Sequence, residues 1–253
     1  MAEENDPPSG SAGGSSDPGA SVAGETDEVR RDQAEWGERA KSEPRWPASL
    51  AVVVAIALYF ALPDKLINGL GPRWLVPVLE GVLGATLWVG GPRLTPESRR
   101  LRSVAIVVIA LVNLANVVSL GELVHQLLSP HAHGAPGGRD LIYASVPVWI
   151  TNVLVFGLWY WELDRGGPVA RLQARRRQPD FLFPQMNAPD ATTPGWSPKF
   201  LDYLYTSFTN ATAFSPTDTM PLTAWAKILM MVQSLASLLT VSLVISRAVN
   251  ILN

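Results

Sequence analysis

The sequence predicts an all-α, polytopic membrane protein with about five transmembrane helices, a re-entrant half-helix and a disordered N-terminal tail. Three observations lead to this fold class. The chain of 253 residues is 47% hydrophobic, and its mean hydropathy of +0.16 is high for a soluble protein. Apolar runs recur from residue 47 to residue 252, and a helix needs about 20 largely apolar residues to cross a bilayer. Half of the acidic residues, eleven of 22, precede the first of these runs.

Residues 1–46 form the predicted tail. They are rich in Gly, Ser, Pro and acids, with eleven acidic residues against five basic ones. Such a composition buries too little apolar surface to order itself, so we expect a disordered acidic tail. It contains no basic region followed by an apolar run, and the first span is therefore expected to act as the insertion signal instead of a cleaved peptide.

Five apolar runs are the predicted transmembrane helices, and the first four make up a four-helix region over residues 47–162. The runs cover residues 47–66, 74–89, 101–128, 141–161 and 222–252. Tryptophans sit near their ends, as in an interfacial aromatic belt: Trp46, Trp74, Trp88, Trp159, Trp161 and Trp225. We expect a multi-pass protein of the plasma membrane whose main partner is the lipid bilayer.

The segment 163–198 differs from the runs because it combines basic residues with aromatic residues and prolines. Its arginines are predicted to contact anionic lipid headgroups, and they are Arg171, Arg175, Arg176 and Arg177. The simpler interpretation is a solvated loop lying on the membrane surface. The alternative is a specific lipid or protein site.

Basic residues also predict the orientation. They cluster before the first run, after the second and after the fourth, and short basic loops tend to remain cytoplasmic. These three regions share a side if four spans precede the last one. The pattern predicts a cytoplasmic N-terminus and an external C-terminus.

The third run carries polar residues at a spacing of three: Asn113, Asn116, Ser119, Glu122 and His125. Steps of three turn backwards by about 60° around an α-helix, so neighbouring members touch while the full set winds around it. Hydrogen bonding between helices is the simpler role for these intramembrane polar residues. The alternative is that Glu122 and His125 form a proton-sensitive pair.

Several function classes are not expected. The chain has no cysteine, which excludes disulfides and thiolate sites, and no metal site is predicted because His131 and His133 have no nearby carboxylate. No catalytic triad order, phosphate loop or metalloprotease helix is present, so we expect no enzyme and no cofactor. A pI near 5.9 argues against nucleic acid as a partner. Glu80, a lone acid in the second run, is interpreted as paired or snorkelling.

Residues 199–253 contain a short apolar stretch, 200–214, and the last run. Residues 202–227 read DYLYTSFTNATAFSPTDTMPLTAWAK and resemble the pore helix, selectivity filter and inner-helix start of the two-transmembrane-type potassium channel family. The pore-helix positions are matched by Asp202, Leu204, Tyr205, Ser207, Phe208 and Thr212. Asp218 matches the acid after the filter, and Pro221 matches the proline beyond it. The segment is also similar to the last hairpin of a family of uncharacterised bacterial multi-pass membrane proteins.

The filter itself departs from the family pattern. Phe214, Ser215, Pro216 and Thr217 occupy its four central positions, so both glycines are replaced. Proline has a fixed φ and no N–H group. A potassium filter is built from rings of backbone carbonyls, and this sequence is not expected to form one.

The resemblance therefore implies a channel-like or transport protein for a small ion, with a degenerate filter that is not potassium-selective. It implies a homo-oligomer, most simply a tetramer, whose pore or vestibule residues are Phe214, Ser215, Pro216, Thr217, Asp218 and Thr219. The alternative is a non-conducting scaffold or interaction protein in which the same residues cap a surface turn. The resemblance also implies a pore turn that faces outside, whereas the charge pattern predicts the opposite. We follow the charge pattern because three loops agree.

Overall fold

The computed structural model describes residues 43–62, 74–89, 96–128, 138–172, 178–188, 196–212 and 218–252. Most of these residues are helical. The helices are α1 Trp46–Phe60, α2 Leu75–Val89, α3 Pro96–Leu128, α4 Gly138–Leu163, α5 Pro168–Leu172, α6 Pro184–Asn187, α7 Phe200–Thr212 and α8 Ala224–Leu252. A 3₁₀ turn, Asp164–Gly166, follows α4. Strands β1, Phe181–Leu182, and β2, Met220–Pro221, pair antiparallel, with Phe181 opposite Pro221. Residues 1–42, most of the predicted tail, lie outside the described residues.

Three of the described helices are long and apolar enough to span a membrane. The segments are Arg100–His125 in α3, Tyr143–Gly166 in α4 and the 3₁₀ turn after it, and Ala224–Ile245 in α8. Helices α1 and α2 are equally apolar in character but have only 15 residues each. At 1.5 Å per residue they are about 22 Å long, which is shorter than the hydrocarbon core of about 30 Å.

Helix α4 lies at the centre of the bundle. It contacts α1, α3, α7 and α8, and 72% of its span window is buried, against 33% for α3 and 22% for α8. Close packing with α7 depends on Gly157, where an added Cβ would lie 3.2 Å from Cα of Leu204. A larger residue at this position would push the two helices apart.

Contacts between side chains fix the directions of α7 and α8. Ser207 bonds to Gln233, Asn210 to Ser234, and the carbonyl of Ala211 to Ser237. Because the partners advance together along both helices, α7 and α8 run in the same direction. Thr219 Oγ1 lies 3.2 Å from Thr206 Oγ1, six residues before the end of α7. The chain is therefore back near the start of α7 when α8 begins.

One end of the bundle collects charged side chains, and we call it the polar end. Here α4 terminates while α1, α3, α7 and α8 begin. The contacts that define it are Glu43–Trp161, Arg102–Glu162, Asp164–Tyr203 and Asp180–Trp225. Described members of all three predicted basic regions lie at this end: Arg45, Arg102, Arg165 and Arg171.

Candidate functional site

Two of the six predicted vestibule residues, Asp218 and Thr219, fall within the described residues. Phe214, Ser215, Pro216 and Thr217 lie outside them. Asp218 is exposed, whereas Thr219 is buried and bonded to Thr206. The structure thus ties Thr219 to α7 and leaves the Asp218 carboxylate exposed.

Helix α7 is the element that positions this segment. It begins after Lys199, whose backbone N–H donates to the Asp202 carboxylate at 2.7 Å and caps the first turn. Its buried side chains are aromatic, small or hydroxylated, and they are Phe200, Tyr203, Thr206, Ser207, Thr209 and Ala211. Its exposed face carries large apolar groups, Leu201, Tyr205 and Phe208. The helix therefore turns its polar face toward the protein and its apolar face outward, the pattern expected within a bilayer.

Gln233 of α8 is the centre of a hydrogen-bonded network with α7 and α4. Its side chain is fully buried. The amide oxygen accepts from Tyr160 Oη at 2.5 Å and from Asn210 Nδ2 at 2.8 Å. The amide nitrogen donates to Ser207, to its hydroxyl at 2.7 Å and to its carbonyl at 2.9 Å. Ser207 in turn donates to the Val153 carbonyl of α4 at 2.7 Å, so one glutamine joins three helices.

The same network continues along α8. Asn210 Nδ2 also donates to the Met230 carbonyl at 3.0 Å, and its Oδ1 accepts from Ser234 at 3.0 Å. One turn further on, Ser237 donates to the Ala211 carbonyl and accepts from Trp149 Nε1 of α4 at 2.7 Å. We call this set of residues in α4, α7 and α8 the hairpin network. Its bonds hold α7 against two membrane-length helices.

Asp164 organises the polar end. It is completely buried, and its carboxylate accepts from Tyr203 Oη at 2.5 Å and from the Asp180 N–H at 2.8 Å. Asp180 accepts from the Arg165 N–H at 2.8 Å and from Trp225 Nε1 at 3.0 Å. The corner after α4 requires glycine at Gly167, where φ is +93° and a Cβ would lie 2.9 Å from Nε of Arg102. These bonds join the ends of α4, α7 and α8 through one loop.

The part of this loop that the structure describes is packed into the protein core. Phe181 and Phe183 are buried, and the Phe181 ring lies 5.0 Å from that of Tyr160 and 5.8 Å from that of Trp225. The prediction of a solvated loop lying on the membrane surface is wrong for these residues. Aromatic rings in a proline-interrupted segment are equally suited to filling a core, which the sequence pattern does not reveal.

Arg171 is also buried, with its side chain 4% exposed. Its guanidinium donates to the carbonyls of Trp161 and Asp164 at 2.7 and 3.1 Å, stacks over the Tyr203 ring at 5.1 Å, and lies 3.8 Å from a Glu43 oxygen. The predicted headgroup role is therefore wrong for Arg171, because this side chain is held inside the protein. Arg175, Arg176 and Arg177 lie outside the described residues.

Trp161 at the same end is buried as well, and its indole donates to Glu43 at 2.9 Å. Its predicted place in the interfacial belt is therefore wrong. Trp46 and Trp74 are more than 60% exposed, in agreement with that belt. The second oxygen of Glu43 accepts from the Phe200 backbone N–H, so this acid joins the chain before α1 to the start of α7.

A cavity of about 460 Å³ opens at the polar end beside Arg102, Arg165, Asp180 and Trp225. Its two arginines are matched by acids: Arg102 lies 3.3 Å from Glu162, and Arg165 lies 3.8 Å from Asp164. The charges here balance, so the cavity has no marked preference for an anion.

The polar residues of α3 have different environments. Asn116 and Ser119 are buried, Asn113 and Glu122 are half-buried, and His125 is exposed. Asn116 and Ser119 face a small internal cavity beside Glu80 of α2. The proposed pairing of Glu122 with His125 stays a prediction. Among the described residues, no group of three His, Asp or Glu side chains is placed to hold a metal ion, while His131 and His133 lie outside that part of the chain.

No family model matches the chain, and no curated protein or solved structure matches it either. The similarity of residues 202–227 to a potassium-channel hairpin therefore stays a prediction from the sequence. What can be said of function rests on the geometry of the described residues.

The residues that carry most of this geometry were not among the predicted site residues. Gln233 was detectable, because a lone amide in a span-length apolar helix is costly unless it is bonded. Glu43, Asp164 and Asp180 carried no comparable signal. They stand in segments of mixed polarity, and only the fold shows that Glu43 bonds to Trp161, Asp164 to Tyr203 and Asp180 to Trp225.

Proposed function

We propose that the protein is a channel-like or transport protein of the plasma membrane. In this proposal α1, α2, α3, α4 and α8 are the five spans, and α7 is a re-entrant half-helix. The vestibule residues Phe214, Ser215, Pro216, Thr217, Asp218 and Thr219 line a polar pathway for a small ion. The filter is degenerate, and the pathway is not potassium-selective.

The observation that supports this proposal is the arrangement of α4, α7 and α8. A helix of 13 residues, about 20 Å long, lies beside two membrane-length helices and runs in the same direction as the one that follows it. Backbone that is not helical is tolerated at membrane depth only where protein buries it or water lines it. A half-helix followed by a returning segment meets that condition if several copies surround a water-filled axis.

The apolar faces of α7 and α8 are compatible with such an assembly. In a single chain they expose Leu201, Tyr205 and Phe208 of α7 and Met231 and Leu235 of α8, each at least 46% exposed. One hairpin cannot enclose a pathway, so the proposal requires a closed ring, most simply a homotetramer. With the polar end placed inside by the charge rule, the mouth of the hairpin faces the cytoplasm.

A second function is favoured by the hairpin network. Ser207 and Asn210 of α7 bond to Gln233 and Ser234 within their own chain, and Ser237 donates to the Ala211 carbonyl. These bonds within one chain are sufficient if α7 serves only to pack against α4 and α8. In that case the protein is a non-conducting scaffold whose hairpin stabilises the bundle.

Native mass spectrometry of the protein in nanodiscs separates the two. We expect a tetramer, followed by cation flux in proteoliposomes that Asp218→Asn changes in rate or ion preference. Asp202→Asn is the matched control, because its carboxylate caps α7 away from the proposed pathway. A strictly monomeric protein, or flux identical in wild type and Asp218→Asn, would contradict the proposal and favour the scaffold.

A further inference from the structure

Glu80 of α2 stands apart from the hairpin. It is only 2% exposed and faces a cavity of about 20 Å³ enclosed by α1, α2, α3 and α4. Polar lining comes from Tyr59, Asn116, Ser119 and Thr151. The interpretation of Glu80 as a snorkelling side chain is therefore wrong, because its carboxyl group points into the bundle.

One carboxyl oxygen of Glu80, Oε2, is buried and has no hydrogen-bond partner. A buried oxygen of this kind costs about 1–3 kcal/mol, and native proteins retain few of them. Native proteins retain a buried polar group without a partner where that group has a functional role. The cavity beside it has room for about one water molecule, which needs roughly 10–15 Å³.

The charges of the residues that line the cavity limit which ligands the Glu80 carboxyl group can bind. Of the residues that line the cavity, Tyr59 is the only other titratable group, and none is basic. A carboxylate without a counter-charge in apolar protein is neutralised by taking up a proton. A metal cation would need several oxygens around it, and Leu62, Val76, Val112, Ala115 and Val148 occupy half of the lining.

The cavity lies toward the end of the bundle opposite the polar end. Asn116 lies 14 residues beyond Arg102 on α3, about 21 Å from the polar end. The lining extends to Leu62 and Val76, where α1 ends and α2 begins at the opposite end of the bundle. A water molecule that enters at that end would reach Glu80 along this lining and would not pass the polar end.

We propose that Glu80 is an intramembrane proton-binding site whose proton exchanges with solvent through a water molecule in this cavity. Asn116, Ser119 and Thr151 orient that water. The site is separate from the hairpin and does not rest on its conducting an ion. A proton is picked up and released at one carboxyl oxygen, with no other bond made or broken.

Infrared difference spectroscopy of the full chain in proteoliposomes tests this directly. We expect a protonated-carboxyl C=O band in wild type that shifts within minutes of transfer from H₂O to D₂O and is lost in Glu80→Gln. Glu122→Gln, which changes a half-buried acid on α3, is the matched control and should retain the band. A thermal unfolding midpoint for each variant confirms that the fold is kept.

Three results would overturn the proposal. A band that persists in Glu80→Gln belongs to another acid. A band that fails to shift after hours in D₂O shows a buried acid that does not exchange. A band abolished by sodium chloride but not by choline chloride shows that a metal cation, and not a proton, occupies the cavity.

Discussion

The hairpin network and the Glu80 cavity bury polar groups in opposite ways. Around Gln233, both ends of the amide are bonded and every described partner belongs to α4, α7 or α8. Around Glu80, a carboxyl oxygen is buried without a partner beside a small void. Both side chains are buried, Gln233 at 0% and Glu80 at 2% exposure, so the difference does not come from exposure.

The comparison of Gln233 with Glu80 shows that burial alone does not identify a functional residue. A satisfied network fixes one arrangement and raises the cost of any other. A buried polar group without a partner can still take up a proton or bond to a water molecule or a ligand. We therefore expect changes in the hairpin network and polar end to lower stability, and changes at Glu80 to leave stability intact while altering protonation.

The largest effect is expected from Arg171→Gln. The substitution removes a buried cation that bonds two carbonyls and lies near Glu43. Loss of one partner of a buried charge cluster costs about 3 kcal/mol or more. Denaturant titration of the detergent-solubilised protein should show this loss, whereas Arg100→Gln at an exposed position should leave the unfolding free energy nearly unchanged. Equal small effects of both changes would restore the headgroup role for Arg171.

Gln233→Leu should have the next largest effect and lower the free energy of unfolding by about 2 kcal/mol. It leaves Tyr160, Ser207 and Asn210 each without a bond that they make to the glutamine, and each buried orphan costs free energy. The same titration measures the effect, with Leu235→Ala on the exposed side of α8 as the control. A stable Gln233→Leu protein would mean that the network does not hold the hairpin.

Tyr203→Phe should cost about 1.5 kcal/mol, because it removes the hydroxyl that donates to the Asp164 carboxylate. Burial raises the pKa of Tyr203 above its ordinary value, and the neighbouring Asp164 carboxylate adds to the effect. The folded state therefore keeps this proton longer than the unfolded state does, and stability falls as pH rises above about 10. Tyr203→Phe should flatten that alkaline fall, while the exposed Tyr205→Phe should not. Identical alkaline slopes in all three proteins would exclude Tyr203 as the cause.

The smallest effect on stability is expected from Glu80→Gln. The amide matches the acid in shape, and the change removes no described hydrogen bond of Oε2. We expect the unfolding free energy to change by less than about 0.5 kcal/mol. If Glu80→Gln lowers the free energy of unfolding as much as Gln233→Leu does in the same titration, Glu80 stabilises the fold in the same way as Gln233. The contrast between the two regions would then be wrong.

Hydropathy and length predicted the long helices well, because a bilayer imposes one requirement that composition meets directly. The segments now seen in α3, α4 and α8 were all assigned as spans. Helix α1 ends at Phe60, before the predicted end at residue 66, whereas α2 begins and ends within one residue of its predicted run. Pro63 follows α1 in the sequence, and a proline disfavours the helical conformation of the residue before it.

The candidate site was less predictable, since it depends on which residues meet. The sequence of α7 indicated a half-helix, yet its polar face could not be assigned to a partner until Gln233 and Ser234 of α8 were seen beside it. Charge was the more misleading signal. Arg171 has the sequence context of a surface arginine, and only its contact with two carbonyls and Tyr203 explains why it is buried.

Asp218 is the described residue at which the proposed ion pathway can be tested most directly, by a single substitution. The chain has no cysteine, so Asp218→Cys introduces the only thiol. Ion flux through proteoliposomes is measured before and after a charged, membrane-impermeant thiol reagent is added to both faces. We predict that modification changes the flux at least several-fold, while the unsubstituted protein is unaffected. Complete modification of the thiol with unchanged flux, or no flux in either protein, would contradict the account.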